Sequence, residues 1–341
     1  MKAIFIHEFG PPEVMKLEEV ETPQPTGTQV LVRVHAVGIN PVETYIRSGN
    51  YPSVPPLPYT PGKDAAGVVV SVGEGVTKWN EGDRVYTANS ISGTYAELTL
   101  CNEVELGQLP DNVSYEKGAG IWTPYATSYR ALFQKAVAKA GETVLVHGAS
   151  GGVGIAAVQW AKNAGLTVIG TASSDEGKKL VKEQGADFVT EHLGKECASP
   201  HVSKGDRPNF SVAPLLTRGL EQSESKIPKA VDVIIEMLAN VNLQKDFEIL
   251  KMFGRICVVG NRGSLDFNPR VIMGKDATVT GMALYNAPQA AFDEIHAAIF
   301  DGLTNGYLNP IISKSFPLSE ASAAHHAVIN DKSAGKIVLV P

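Results

Sequence analysis

Apolar and polar positions alternate in short runs along the first third of the chain. Lys2–His7, Gln29–Val37, Gly67–Val72, Arg84–Thr87 and Thr94–Leu100 are each rich in Val, Ile, Leu or Tyr, which predicts a series of strands. Gly10-Pro-Pro12, Pro23-Gln-Pro25 and Pro55-Pro-Leu-Pro58 break the runs, and Glu81-Gly-Asp-Arg84 reads as a turn delivering the next strand. Helical spacing is nearly absent before Ser114–Gly118. A mostly β, barrel-like domain is expected here.

The pattern changes after residue 140. Thr143–His147 is a short β-branched and aliphatic run, followed by glycines at 148, 151, 152 and 154 and by Ile155–Lys162 with helical spacing, which ends at Ala164-Gly165. Leu166–Thr171 is the next strand. Val231–Glu236, Arg255–Gly260 and Thr278–Leu284 follow as further strands, apolar throughout rather than alternating, as in a parallel sheet buried on both faces. The helical stretch Leu243–Lys251 separates the first two of these three. Strand and helix in alternation predict an α/β fold with a doubly wound parallel sheet of the Rossmann type. Pro288–Gly302 and Pro317–His326 read as two late helices and Gly335–Val340 as a closing strand. Residues 195–229 break the pattern with scattered Pro, Ser, Lys and Glu, and read as a long irregular loop.

A chain of 341 residues exceeds what one core usually serves, so two domains are expected. Hydrophobic residues make up 43% and charged residues 19%, an ordinary globular balance, and the net charge of -6 argues against a surface built mainly to hold nucleic acid. The three cysteines, Cys101, Cys197 and Cys257, are too few and too scattered for a disulfide framework or a cysteine metal cluster, and fit a reducing compartment. No signal peptide is visible and no apolar run approaches the roughly 20 residues of a membrane span. A cytoplasmic location is expected.

The chemistry begins at His147-Gly-Ala-Ser-Gly-Gly-Val-Gly154. Strand, glycine turn and helix in that order let the backbone at Ser150, Gly151, Gly152, Val153 and Gly154 approach a diphosphate, whose charge the first helical N–H groups then meet. Ala149 stands where the first glycine of the fingerprint is usual. A cofactor with a free ribose 2′-hydroxyl is normally held by an acid at the tip of the next strand, but that strand ends Thr171-Ala-Ser-Ser174. Ser173 and Ser174, followed by Lys178 and Lys179, suit a 2′-phosphate, so NADP(H) is favoured over NAD(H). The plainer alternative is a capped, solvated helix start.

Several stretches carry a resemblance. Val37-Gly-Ile-Asn-Pro-Val-Glu-Thr-Tyr-Ile-Arg-Ser-Gly49, Leu57-Pro-Tyr-Thr-Pro-Gly62, the glycine stretch and Ile235-Glu-Met-Leu-Ala-Asn-Val-Asn-Leu243 resemble the zeta-crystallin-like, zinc-free quinone oxidoreductase branch of the medium-chain dehydrogenase/reductase superfamily. The resemblance covers nearly the whole chain except about 193–229. It implies a discontinuous GroES-like domain of residues 1–123 and 287–341, and a Rossmann domain of 124–286 carrying the irregular 195–229. Zinc-dependent members have a cysteine ligand in the stretch matching Val37–Gly49 and Gly-His-Glu in the one matching Tyr59-Thr-Pro-Gly-Lys-Asp-Ala-Ala-Gly67. Here those positions read Gly38-Ile-Asn40 and Lys63-Asp64, and the four-cysteine structural lobe is missing, so no metal is expected.

The resemblance further implies an NADPH-dependent reductase that passes a hydride or single electrons to quinones, ortho-quinones among them, giving semiquinone or hydroquinone. Reduction of activated carbon–carbon double bonds in enones stays open. By resemblance, Tyr45 and Asn40 are the candidates to stabilise charge on the acceptor, and Thr127 to anchor the nicotinamide. His192 would serve the adenosine phosphate; Asn242, Val259, Gly260, Asn261, Arg262, Met282, Ala283 and Leu284 would line the diphosphate and nicotinamide. A different class is also implied: binding of AU-rich RNA, or a structural crystallin role. Lys178, Lys179 and Lys182 are the basic cluster at hand for RNA, with little else. A homotetramer is implied by resemblance alone. His325 and His326 are adjacent, point about 100° apart on a helix and are read as non-functional.

Overall fold

A computed structural model of the chain describes residues 1–191, 227–331 and 334–341; His192 and most of the 195–229 stretch lie outside the described residues. The chain forms two compact units. One comprises Met1–Thr127, Gly151–Ala156 and Leu284–Pro341, and the other Ser128–Ser150 and Ala157–Ala283. Among the described residues no helix is long and apolar enough to cross a membrane.

The N-terminal unit opens with β1 (Lys2–Ile6), paired antiparallel to β2 (Met15–Glu19). It continues through β3 (Gln29–Gly38), β4 (Asp64–Val72), β5 (Arg84–Thr87), β6 (Leu98–Asn102) and β7 (Leu106–Gln108). Asn40 caps the helix Pro41–Arg47, with Pro41 at its first position, where a missing N–H costs nothing. The expected strand at Thr94–Leu100 starts four residues late. Thr94 and Tyr95 both donate their N–H to Pro61 O (3.0 Å each), so this backbone is tied to a loop rather than to a ladder. β2 escaped the sequence reading because three of the five residues of Met15-Lys-Leu-Glu-Glu19 are charged and Leu17 is exposed.

The second unit holds β8 (Thr143–Val146), β9 (Thr167–Thr171), β10 (Phe188–Thr190), β11 (Val231–Glu236), β12 (Leu250–Val258) and β13 (Thr278–Gly281). They form one parallel sheet in the order β10-β9-β8-β11-β12-β13. The order reverses direction between β8 and β11, which is the switch point where such sheets take ligands. The glycine turn follows β8 and leads into the helix Gly152–Asn163. Burial on both faces holds for the centre, β8 and β11, and fails at the margin. β12 exposes Lys251, Met252 and Phe253, and β13, the last strand of the order, exposes Thr278 and Gly281. The helix Ala239–Ile249 starts four residues earlier than its apolar spacing suggested, because its first turn is the polar Ala239-Asn-Val-Asn242.

The chain ends in the first unit with the helix Gln289–Thr304, β14 (Ile312–Pro317), the helix Ala321–Asn330 and β15 (Lys336–Val340). β15 pairs parallel with β14 and antiparallel with the end of β3, giving the order β14-β15-β3-β4-β5-β7 with β6 also on β3. Ile4, Ile6, Val37, Ile39, Tyr95, Ala324 and Leu339 meet in its core.

Gly38 lies where β3 meets both β15 and β4, and a Cβ there would sit 1.9 Å from the carbonyl oxygen of Ala119. Gly38 cannot shift without breaking its ladders, and Ala119 is held at the end of the helix Tyr115–Ala119. Gly38→Ala is expected to cost about 3 kcal/mol of stability, seen as a drop of several degrees in melting temperature. Gly281→Ala, whose Cβ would meet nothing within 4 Å, should melt with the wild type.

Candidate active site

The glycine turn after β8 is built by backbone geometry. Gly148 has φ +57°, a conformation that side chains with a Cβ adopt rarely, and its N–H donates to Thr171 Oγ1 at 3.0 Å. Ala149 donates to Thr171 O at 2.8 Å, and its methyl is buried against Gly170, where an added Cβ would lie 2.9 Å away. Alanine in place of the first glycine is thus a packing choice. The helix Gly152–Asn163 has no acid in its first turn, so its free N–H groups and dipole meet no competing negative charge there. The loop chemistry fits the diphosphate of a dinucleotide.

The strand tip next to it is only partly free to take a phosphate. Ser173 is exposed, and Ser174 Oγ caps the helix Asp175–Glu183 by accepting from Gly177 N at 3.1 Å. Lys178 Nζ already reaches Glu191 at 2.9 Å and Asp175 at 3.5 Å, and Glu191 holds its pKa above the usual lysine value. Lys179 is exposed, with Glu183 3.9 Å away.

At the ends of β11 and β12 the backbone is fixed by asparagines. Asn240 N donates to Asn261 Oδ1 and Arg262 N to Asn240 Oδ1, each at 3.0 Å. Asn242 Nδ2 donates to Glu236 Oε1 at 3.1 Å. Gly260 lies so close to Met237 that a Cβ would stand 2.2 Å from its carbonyl oxygen. Val259 N donates to Glu236 O, and Met282 N to Val258 O, so these residues extend their strands by one bond. Ala283 is exposed and Leu284 is buried.

In the first unit a buried polar network surrounds Asn40. Its Nδ2 donates to Asp64 Oδ2 at 3.0 Å and lies 3.4 Å from Glu43 Oε1, and its Oδ1 accepts from Lys336 Nζ. Lys336 Nζ is also 3.6 Å from Asp64 Oδ2, and Thr123 donates to the same carboxylate through both Oγ1 (2.7 Å) and N (3.1 Å). Glu43 Oε2 accepts from Asn40 N at 3.0 Å and from Tyr95 OH at 2.8 Å; the phenol oxygen in turn lies 2.9 Å from His325 Nε2. Burial raises the Glu43 carboxyl and lowers the Lys336 ammonium, whose charge the two carboxylates support.

Tyr45 is half-buried on the helix that Asn40 caps, and Thr127 is buried at the start of the short α-helical turn Thr127–Tyr129, which follows the wide π-type turn Trp122–Ala126. Lys63 Nζ stands 3.7 Å over the ring of Tyr285, and burial lowers its pKa. His325 is buried and pushed down to about 3, while His326 pairs with Glu13, so the two adjacent histidines face different partners. Lys336, Thr123 and Tyr95 were missed by the sequence reading. Only Lys336 left a trace, as a lone cation opening the apolar run Lys336-Ile-Val-Leu-Val340.

Two family models match the chain: an alcohol dehydrogenase GroES-like domain over residues 26–149 and a zinc-binding dehydrogenase over residues 152–301. The human quinone oxidoreductase is 44% identical over 342 residues, covering 100% of this chain and 98% of its own. A quinone oxidoreductase of Pseudomonas aeruginosa is 32% identical, with 100% and 99% covered. Among solved structures, the Escherichia coli quinone oxidoreductase complexed with NADPH is similar with a TM-score of 0.82 at 28% identity, covering 100% of both chains.

The second family description implies zinc, and the residues do not fit it. Asn40, Lys63 and Asp64 offer neither thiolate nor imidazole, and the ammonium of Lys336 already supplies the positive charge beside Asn40 and Asp64. Among the described residues, the one tight His–carboxylate group is His147, Glu236 and Asp246, in the other unit. Similarity over the full length, two adjoining family matches and a site whose carboxylates are matched by a lysine rather than by thiolate or imidazole ligands agree. The chain belongs to the quinone oxidoreductase branch of the medium-chain dehydrogenase/reductase superfamily.

Proposed function

We propose that the chain is an NADPH-dependent quinone reductase that works without zinc. The observation that carries this reading is the full-length 44% identity to a quinone oxidoreductase in a chain whose Asn40 site holds a lysine ammonium in place of metal donors. The glycine turn and the acid-free helix start support dinucleotide binding, and the related Escherichia coli enzyme is described in complex with NADPH. When bound, the dinucleotide supplies a hydride to the acceptor.

The chain's own residues hold and orient. Ser150 to Gly154 meet the diphosphate. Ser173 and Ser174 face the 2′-phosphate, and Lys179 can turn to it more readily than Lys178, which is held by Glu191. Asn242, Val259 to Arg262 and Met282 to Leu284 frame the cofactor, and Thr127 anchors its nicotinamide side. Asn40 cannot serve an acceptor directly, because both ends of its amide are committed to Asp64, Glu43 and Lys336. Its role is positioning. The phenol of Tyr45 is then the candidate to donate a hydrogen bond to the acceptor oxygen as negative charge develops there.

Titration should show NADPH bound at least tenfold more tightly than NADH, followed by turnover of ortho-quinones faster than of an α,β-unsaturated ketone. Equal affinity for the two dinucleotides would remove the 2′-phosphate assignment. Tyr45→Phe is expected to lower kcat for the quinone about tenfold with NADPH affinity kept; unchanged kcat would count against the phenol.

Lys336→Met leaves Asp64 buried without its counter-charge and should cost about 3–5 kcal/mol in urea unfolding. Adding Asp64→Asn to that variant should recover part of the loss, since it removes the uncompensated charge.

A further inference from the structure

Three ionisable side chains with no part in these roles meet at the switch point of the second unit. His147 directly follows β8, Glu236 ends β11, and Asp246 lies on the helix Ala239–Ile249. Their side chains are 1%, 0% and 0% exposed. His147 Nε2 is 2.8 Å from Asp246 Oδ1 and 3.4 Å from Glu236 Oε2. Among the described residues, Glu236 Oε2, Asp246 Oδ2 and His147 Nδ1 have no hydrogen-bond partner.

The proton count does not close with both acids ionised. Burial holds His147 below its usual value, so it is neutral and its Nε2–H is one donor facing two carboxyl groups. Burial also raises both acids, to about 7 each, and each acts on the other. Two adjacent buried carboxylates cannot both ionise cheaply without a cation. Among the described residues no lysine or arginine forms an ion pair with either acid. The helix also carries Lys245, half-buried, and Glu248, exposed; on β11, Asp232 is held by Lys251; on β12, Arg255 is held by Glu142, and Cys257 stays a thiol, raised to about 11.

The group is wired to the residues assigned above to the cofactor. Glu236 Oε1 accepts from Leu238 N and from Asn242 Nδ2, and Glu236 O accepts from Val259 N (2.8 Å) and Gly260 N (3.2 Å). His147 immediately precedes Gly148, whose turn packs toward Met237. We propose that His147, Glu236 and Asp246 are positioning residues that share one buried proton, and that this proton fixes the Met237–Leu238 turn and the first helical turn, Ala239–Asn242, in their NADPH-binding form. The proposal rests on the NADPH reading above. With the proton present, one carboxyl donates to the other and Glu236 keeps Asn242 in place. As pH rises and the proton leaves, the two anions repel, Glu236 shifts, and the helix start at Asn242 loosens. NADPH binding therefore takes up a proton at alkaline pH.

The test is NADPH affinity from pH 6.5 to 8.5, with calorimetry in buffers of different ionisation enthalpy. The expected result is a loss of about tenfold in affinity across that range, with uptake approaching one proton at the upper end. Asp246→Asn keeps the oxygen that His147 uses and carries its hydrogens permanently, so it should bind as the wild type does at pH 6.5 and lose most of the pH dependence. The 2′-phosphate of the ligand is common to both proteins, so the difference between them reports the protein. A wild type without proton uptake, or an Asp246→Asn variant with the full wild-type slope, overturns the proposal. So does a stoichiometric divalent metal in the purified protein, since a cation would then replace the proton. Infrared spectroscopy reads the pair without ligand: a protonated-carboxyl band should titrate near neutral pH in the wild type and be lost in Asp246→Asn. Its absence in the wild type refutes the shared proton outright. Failure of NADPH to bind at every pH while that band persists overturns the link to affinity through the cofactor reading, and leaves the proton pair standing.

Discussion

The ammonium of Lys336 is the constraint around which the first unit closes. It is 6% exposed and lies between Asn40 and Asp64, residues that follow β3 and begin β4. A buried ion pair adds little net stability, because desolvation offsets most of the attraction, but an unmatched partner is heavily penalised. The pair therefore acts on specificity: only the register that places Lys336 beside Asp64 leaves no bare charge. That register sets Val338 opposite Gly38, while β3 sets Gly38 opposite Asp64. Gly38 completes the joint, since any side chain there would collide with Ala119 O and with the Lys336 stem.

The protein meets the cost of buried acids in three ways. Asp64 has a cation and three donors, so it can stay charged. Glu43 has donors from Asn40 and Tyr95, and burial still raises it. Glu236 and Asp246 form no ion pair with a lysine or arginine among the described residues and answer with a proton instead. The first solution balances its charge with a lysine. The last is sensitive, because its charge balance is settled by solvent pH rather than by a covalently fixed cation.

The sequence made the fold legible where structure is local. Thr143–Val146, its glycine turn and the following helix were readable because strand, φ-positive Gly148 and helix start are consecutive. β3, β5 and β11 showed themselves by composition. The margin strands did not: Thr278–Leu284 read as a central strand, but β13 is only Thr278–Gly281, and its exposure follows from its place in the sheet, which no local pattern encodes. The site was legible only in part. Asn40 and the Lys63-Asp64 replacement stood out, but Lys336 is 296 positions from Asn40, and only the folded sheet brings them together. The committed state of the Asn40 amide was invisible for the same reason.

The substitution of an ammonium for a metal narrows the chemistry that the proposed reductase can perform. A catalytic zinc keeps an open position and draws electron density from a carbonyl oxygen. The Lys336 ammonium is instead turned toward Asn40 and Asp64, and its charge is spent on them. A fixed, compensated cation cannot polarise an acceptor or lower the pKa of an alcohol. Hydride transfer then needs an acceptor that is electrophilic unaided, with its negative charge spread over a conjugated system as it develops. Quinones meet that requirement best and conjugated enones less well, whereas simple ketones and alcohols do not. The selectivity of the site thus follows less from what it binds than from the activation it has given up.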